Sequence, residues 1–248
     1  MSHKRKQQIV IGKEDRVFVL TGAGISAESG LATFRGSDGL WEGERVEDVA
    51  SPQGWQRDPE RVWRFYSLRR KAAAIAEPNP AHLALAALER DLGERFFLCT
   101  QNVDDLHERA GSHNLVHMHG ELFQSCCDRC TREPFADTRL YETKAAHVLC
   151  ECGGRIRPNI VWFGEVPFHM DRIIEELQRC TVMLVVGTSG VVQPAASFVH
   201  WANQQYAAGV SPVRTYYVGP EHPANASAFT HVFEEPAGHC LPKLFHLE

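Results

Sequence analysis

No stretch of the 248 residues approaches the 18 or so consecutive apolar residues of a membrane-spanning helix, so no membrane span is expected. The first twelve residues, MSHKRKQQIVIG, are basic but lack the apolar run of a secretory signal. A cytoplasmic setting is therefore expected. Positive charge is not in excess either. The formal net charge is −5 with both signs interspersed, which argues against a nucleic-acid-binding surface while leaving room for a local basic pocket. Repeats and low-complexity segments are missing too. What is present suffices for a core: 44% of residues are hydrophobic, and the length suits one large domain or two modest ones.

Cysteine is unevenly spread. Of eight, five fall between positions 126 and 152: Cys126, Cys127, Cys130, Cys150 and Cys152. A tight cluster in a chain without a secretion signal points to metal rather than to disulfides. Cys127-x-x-Cys130 has the spacing of a zinc knuckle, and Cys150-x-Cys152 supplies a second pair. Four thiolates make a closed, structural Zn²⁺ site. Cys126 could replace Cys127, but Cys127 is preferred because two residues then separate it from Cys130.

The chain is organised around residues 21–41, TGAGISAESGLATFRGSDGLW. The apolar run 16–20 before it reads as a buried strand. Gly22-Ala23-Gly24 and then Ala27 give the G-x-G-x-x-A form of a dinucleotide fingerprint. In that reading Gly22 allows a tight turn, Gly24 lets backbone N–H groups approach a pyrophosphate, and the next helix N-terminus favours the anion. The plain alternative is a tight strand-to-helix turn. Gly30, Gly36 and Gly39 then predict a mobile loop where a dehydrogenase would continue as helix, although Glu42 has the spacing of a ribose ligand.

Further along, helices are expected over 59–76 and 80–92, a strand over 95–100, a helix over 103–110 and a strand over 115–118. Residues 120–158 lack long apolar periodicity and read as an inserted module. The pattern resumes with an extended segment 159–163, a helix 167–179, a buried strand 181–186, a helix 194–207, strands 214–218 and 231–233, and a short helix 241–247. Alternating strands and helices predict an α/β fold, a Rossmann-like doubly wound parallel sheet with an inserted small zinc-binding module. The expected division is 1–119 with 159–248, carrying a helical and loop insertion around 31–80, and the module 120–158. Gly22, Gln101, His119 and Thr188 all follow predicted strands, where ligands bind such sheets.

Within 100–104, TQNVD, a buried amide and carboxylate could serve a nicotinamide and a ribose, or Asn102 or Asp104 could simply cap a helix. His117 and His119 share one side of the expected strand, so alternation does not choose a base between them.

The whole set resembles the sirtuins, NAD-dependent protein deacylases. Gly22, Ala23, Gly24, Ser26, Ser29, Gly30, Phe34, Arg35 and Gly36 match their GAGxSxxSGIPxFRG pattern, with Ala32 in place of proline. TQNVD is similar to their TQNID, His119-Gly120 to their HG, Val161-Trp162-Phe163-Gly164-Glu165 to their FGE segment, and Gly187-Thr188-Ser189 to their GTS. The segment Pro236-Ala237-Gly238 is a looser match. The resemblance implies NAD⁺ as co-substrate, held by Gly22, Ala23, Gly24, Ser26, Thr33, Phe34, Arg35, Trp41, Gln101, Asn102, Asp104, Gly187, Thr188, Ser189 and Ala237. It implies His119 as catalytic base, with Asn102 serving the ribose and the catalytic water. It implies one structural Zn²⁺ and acylated-lysine protein substrates, which Val161, Phe163, Gly164 and Glu165 would contact strand to strand.

On the expected helix 59–76, Tyr66 and Arg69 stand at i and i+3, so phenol and guanidinium could reach one point. Core packing of Tyr66 and a solvated Arg69 beside Arg64 and Arg70 is the plainer reading. The resemblance favours the other one: Y-x-x-R and Thr33 mark the class III, desuccinylase-like branch, which implies preference for succinyl, glutaryl or malonyl groups with deacetylation retained. The competing activities are ADP-ribose transfer and a non-catalytic sensor, and retention of Asn102 and His119 favours deacylation.

Overall fold

The structure, a computed structural model, describes residues 8–33, 40–41, 43–204 and 212–248. Phe34, Arg35, Gly36, Gly39 and Glu42, most of the expected glycine-rich loop, lie outside the described residues, as does the side chain of Trp41. Strands β1 (Ile9–Ile11) and β2 (Val17–Thr21) lead into α1 (Ala23–Ala27). The antiparallel pair β3 (Leu40–Trp41) and β4 (Glu44–Arg45) precedes α2 (Val46–Val49), α3 (Pro52–Arg57), α4 (Pro59–Ile75) and α5 (Pro80–Leu92). Next come β5 (Phe96–Thr100), α6 (Leu106–Arg109) and β6 (Leu115–His117). The excursion β7 (Gly120–Cys127), β8 (Phe135–Ala136) and β9 (Ile156–Ile160) forms its own sheet. The chain ends through α7 (Met170–Arg179), β10 (Val182–Val186), α8 (Phe198–Gln204), β11 (Arg214–Val218), β12 (His231–Phe233), α9 (Ala237–Cys240) and β13 (Phe245–Leu247).

The main sheet is parallel, in the order β12-β11-β10-β2-β5-β6. Every residue of β2, β5 and β10 is buried, as strands covered on both faces must be. Alternation divides them. Val17, Val19, Phe96, Leu98, Val182 and Leu184 pack on one side with α5 and α9. Phe18, Leu20, Phe97, Met183 and Val185 pack on the other with Ile173 and Leu177 of α7 and Phe198 of α8. The strand order reverses between β2 and β10, so their carboxyl ends open the crevice where this topology binds ligands.

Local signals set the helix starts. Asp58 accepts the Arg61 amide at 2.9 Å ahead of Pro59. Asn79 and His82 cap α5 reciprocally, and Gly93 closes it at φ +58°.

A third apolar cluster joins α3 and α4 to the excursion, through Trp55, Trp63, Tyr66, Leu122, Tyr141, Ile156 and Trp162. Arg70 is buried at its centre. Its guanidinium donates to the carbonyls of Leu122 (2.8 Å), Arg139 (2.7 Å) and Gln124 (3.1 Å) and lies 3.6 Å from Asp137. The reading of Arg70 as a solvated arginine is thus corrected: carbonyls of β7 and its neighbours replace water around it.

Further expectations change: the helix expected over 167–179 starts at Met170, and the one expected from 194 at Phe198. Residues 245–247 form β13, paired in parallel with β1, rather than the end of a terminal helix, because the edge offered by β1 outweighs local spacing. The helix expected from 103 starts only at Leu106, since Val103 offers its carbonyl to Leu122 and Asp104 caps the Leu106 amide. The extended segment expected over 159–163 is strand only to Ile160.

Candidate active site

The crevice forms where two turns touch. The Gly22 amide donates to Val186 O at 3.0 Å and the Gly24 amide to Gly187 O at 2.8 Å. A Cβ on Gly24 would stand 2.7 Å from Gly187, and one on Gly187 2.4 Å from the Ile25 amide nitrogen, at φ +63°. Gly22 is extended at φ −130°, a conformation open to any residue, so its glycine is required by contact with Gly187 O at 2.9 Å. The fingerprint glycines therefore serve turn-to-turn packing. Because α1 has only five residues, its dipole is small, and the Gly22, Gly24 and Ile25 amides are already bonded to carbonyls of the two turns. Thr188 is held in this turn by Tyr217, whose hydroxyl donates to its carbonyl at 3.1 Å. Ser189 is exposed beside it, Thr33 is half-buried at the end of the described loop, and Ala237 is buried at the start of α9 against α1.

Beneath the turn lies a buried polar network. The Asn79 amide donates to His82 Nδ1 at 3.3 Å, so the proton of neutral His82 sits on Nε2, facing Ser26 Oγ at 3.5 Å. Burial lowers the His82 pKa to about 4, which keeps the ring neutral. Ser26 Oγ accepts from Asn102 Nδ2 at 3.0 Å and donates to Asp104 Oδ2 at 3.2 Å. Asp104 also accepts the Leu106 amide, so the capping and ligand readings of this residue coexist. Burial raises its carboxyl above the ordinary range. Gln101 Nε2 is buried without a hydrogen-bond partner among the described residues. A buried orphan amide at a strand end beside a glycine turn fits a polar ligand such as the nicotinamide half of NAD.

The two histidines now separate. His119 lies in the turn between β6 and β7, and its Nδ1 is 3.1 Å from Gln101 O. A carbonyl only accepts, so Nδ1 carries the proton and Nε2 keeps its lone pair. Burial lowers the His119 pKa, so the free base prevails at neutral pH. His117 instead uses both nitrogens, toward Asn102 O at 2.8 Å and Glu108 Oε1 at 2.6 Å.

The segment after β9 closes over His119. The Val161 amide donates to His119 O at 2.9 Å, and the Phe163 amide to Ala50 O at 3.0 Å. Gly164 turns the chain at φ +92°, and Phe163 is half-exposed. Glu165 faces inward: it takes a two-pronged bond from Arg157 (2.8 and 3.0 Å) and the Trp162 amide (2.7 Å). Amides of 161, 162, 163 and 165 are thus bonded within the protein, the last of them to Trp162 O at 2.9 Å. Trp162 Nε1 donates to the Tyr66 hydroxyl at 3.1 Å, and Tyr66 is fully buried, its pKa pushed up to about 12 by burial. Tyr66 thus packs in the core, as the plainer reading had it, while Arg69, one turn along the same helix face, is only partly buried. Sequence reading missed His82 and Arg157 and gave Trp162 no role within its matched segment; the Asn-x-x-His cap pattern of 79–82 carried a signal for His82.

The metal cluster forms at the end of β7. The sulfurs of Cys127, Cys130, Cys150 and Cys152 all lie within 4.8 Å of one another, with Cys127–Cys152 at 3.5 Å and Cys130–Cys150 at 3.8 Å. A Zn²⁺ with bonds of about 2.3 Å sets tetrahedral edges of about 3.8 Å, so the four fit a structural zinc. Cys126 faces away, toward Pro158 O at 4.0 Å. The one-residue gap between Cys150 and Cys152 is accommodated by a turn at Gly153, φ +78°. A Cβ on Gly154 would stand 2.7 Å from Cys127 Sγ.

Residues 22–194 match the model of the Sir2 family. The chain belongs to the Sir2 family. An "NAD-dependent protein deacylase" of Shewanella oneidensis is 46% identical over 92% of this chain and 92% of its own. The protein of the same name from Escherichia coli K12 is 51% identical over 77% of this chain and 68% of its own. Among solved structures, a Sir2 homolog–NAD complex superposes with TM-score 0.82 at 40% identity, covering 93% and 88% of the two chains. A Sir2 protein bound to acetylated peptide superposes at 0.76, with 29% identity and 90% and 89% covered. Among the described residues no helix is long and apolar enough to cross a membrane.

Proposed function

We infer that this Sir2 family member is an NAD-dependent protein-lysine deacylase. The observation that carries the reading is the His119 ring, set with Nδ1 3.1 Å from Gln101 O, in a segment bonded to Thr21 O at the edge of the Gly22–Gly187 turns. NAD⁺ supplies the ribose carbon to which the acyl oxygen transfers; with one water the products are nicotinamide, free lysine and O-acyl-ADP-ribose. The protein's share is placement and one proton. Gly22, Ala23, Gly24, Thr188 and Ser189 would hold the phosphates and adenosine side, and Gln101 and Asp104 the nicotinamide amide. Asn102, its amide fixed by Ser26, would address the ribose and the attacking water. His119 Nε2 takes a proton from a ribose hydroxyl, with Gln101 O supporting the charge on Nδ1 as it forms.

Tyr66 and Arg69 give the acyl preference: succinyl, glutaryl or malonyl over acetyl. With its oxygen accepting from Trp162, the Tyr66 O–H remains to donate, and Arg69 adds positive charge at the same helix face. A carboxylate buried without such donors would be strongly disfavoured.

His119→Ala tests the reading. Nicotinamide release with an acyl-lysine peptide should fall by about 10²–10⁴-fold, the usual share of general-base catalysis. Zinc content and thermal unfolding should stay at wild-type values. Near-normal turnover would remove His119 from the mechanism.

A further inference from the structure

Gln101 and Asn102 lie in no helix or strand, yet their backbone polar groups are all taken. The Gln101 amide donates to Thr21 O at 2.9 Å and the Asn102 amide to Thr100 Oγ1 at 3.0 Å. Their carbonyls are gripped by histidines: Gln101 O by His119 and Asn102 O by His117. His117 is nearly as buried as a core residue, and its other nitrogen meets Glu108 on α6. Asn102 O can only accept, and an ionised Glu108 can only accept, so both ring nitrogens carry protons. His117 is then an imidazolium bridging α6 and the turn that bears Asn102. Glu121 of β7 lies with Glu108 and His117 in one group, adding negative charge. At 2.6 Å the Glu108–His117 contact is a charge-assisted hydrogen bond, shorter than the edge between two ligands of one cation.

We propose that His117, clamped as an imidazolium between Glu108 and the Asn102 carbonyl, is a positioning residue for deacylation, and that loss of its proton sets the upper pH limit of turnover. A neutral ring can keep only one of its two bonds. Protonated on Nδ1, it turns a lone pair on the Glu108 carboxylate; protonated on Nε2, it turns one on Asn102 O. Either way the clamp opens, and with it the seat of the Asn102 amide and of the carbonyl that orients His119. The groups facing His117 are Glu108 and the neutral His107 of α6, Glu121 of β7, Asp104 after β5 and His169 before α7. Burial, the largest single influence, opposes the charge, but Glu108, the Asn102 carbonyl and Glu121 together outweigh it, and the His117 pKa lies above its ordinary value. His119 shifts the opposite way. Two histidines with one residue between them thus bound a bell: loss of the His119 proton opens it from the acid side, and loss of the His117 proton closes it on the alkaline side.

The proposal rests on the roles given above to Asn102 and His119. Its test is the pH profile of kcat, with saturating NAD⁺ and acyl-lysine peptide, across about pH 5.5 to 10 for wild type, Glu108→Gln and His117→Phe. Glu108→Gln keeps an acceptor for Nε2 and removes the charge. Its alkaline limb should move down by about one pH unit or more, or vanish where the amide turns to donate to a neutral ring, while the acid limb stays in place. His117→Phe should lose about tenfold or more in kcat at every pH, a scale set by small misplacements of reacting groups, with NAD binding and zinc content retained. A merely structural role for the pair would lower the melting temperature and leave both limbs where they are. Superimposable profiles of wild type and Glu108→Gln overturn the proposal, and they do so even where His117→Phe fails to fold. If His119→Ala is inactive while those profiles coincide, the deacylase mechanism stands and only the role of His117 falls.

Discussion

Arg69 carries the sharpest single-residue expectation. A guanidinium offers a planar pair of donors to a carboxylate, and a hydrogen bond to a charged group contributes about 1.5–3 kcal/mol. Arg69→Met should therefore weaken desuccinylation by about 10- to 100-fold in kcat/KM, chiefly through KM, and leave deacetylation nearly unchanged. Paired succinyl- and acetyl-peptides read the difference, and equal losses on both would assign Arg69 to the fold. At this scale the sequence was legible in identity more than in role. Gly22, Gly24, Asn102 and His119 are found by spacing and motif. That Gly22 is needed by Gly187 O, across most of the chain, is a tertiary contact no local pattern encodes. The choice between His117 and His119 was open by alternation. The family motif picks His119, and the acceptors each ring meets differ: Gln101 O for His119, Asn102 O and Glu108 for His117.

Among elements, α4 and β7 are joined by a polar staple instead of apolar packing alone. Arg70 satisfies three carbonyls and faces Asp137, which also takes hydrogen bonds from Ser125 (2.6 Å) and Tyr141 (2.8 Å). Arg70→Met would strand those carbonyls and remove the buried cation facing Asp137. It should cost about 3 kcal/mol or more in denaturant unfolding, the scale of a broken buried pair. Burial alone would raise the Asp137 carboxyl, but the bonds from Arg139, Ser125 and Tyr141 outweigh it and hold it at about 2. A depressed carboxylate stabilises the fold above its unfolded value near 4 and loses that contribution as pH falls toward 2. Acid unfolding should thus steepen between about pH 4 and 2, and Asp137→Asn should flatten it there. The long elements were legible because burial and caps coincide: the all-apolar β10, and α5 behind Asn79-Pro80 with Gly93 after it. The short ones were not. Three-residue β13 exists because β1 lies alongside, and α6 is shortened by the commitments of Val103 and Asp104.

For the molecule as a whole, the parallel sheet and the cysteine module meet through one aromatic core, and the site straddles that meeting. Trp55 donates to Asp128, beside Cys127, at 3.0 Å; Trp63 donates to Ile156 O at 3.1 Å and stacks on Tyr141 at 4.0 Å; Trp162 bonds Tyr66. The sheet side has its own two apolar layers, which share no residue with this core. Metal binding energy in such a small module is folding energy, so losing zinc should release the aromatic core before the sheet. Three of the five tryptophans, Trp55, Trp63 and Trp162, report on that core. Chelation should shift tryptophan emission to the red and abolish deacylation, since Val161 holds His119 O from the end of β9. Far-UV circular dichroism should meanwhile keep most of its helix and sheet signal. Gly154→Ala, which sets a methyl against Cys127 Sγ, should reproduce the shift without chelator and lower the zinc content. Loss of both optical signals in one transition would mean that sheet and module unfold together. The site would then depend on zinc through global stability, not through the seat of His119.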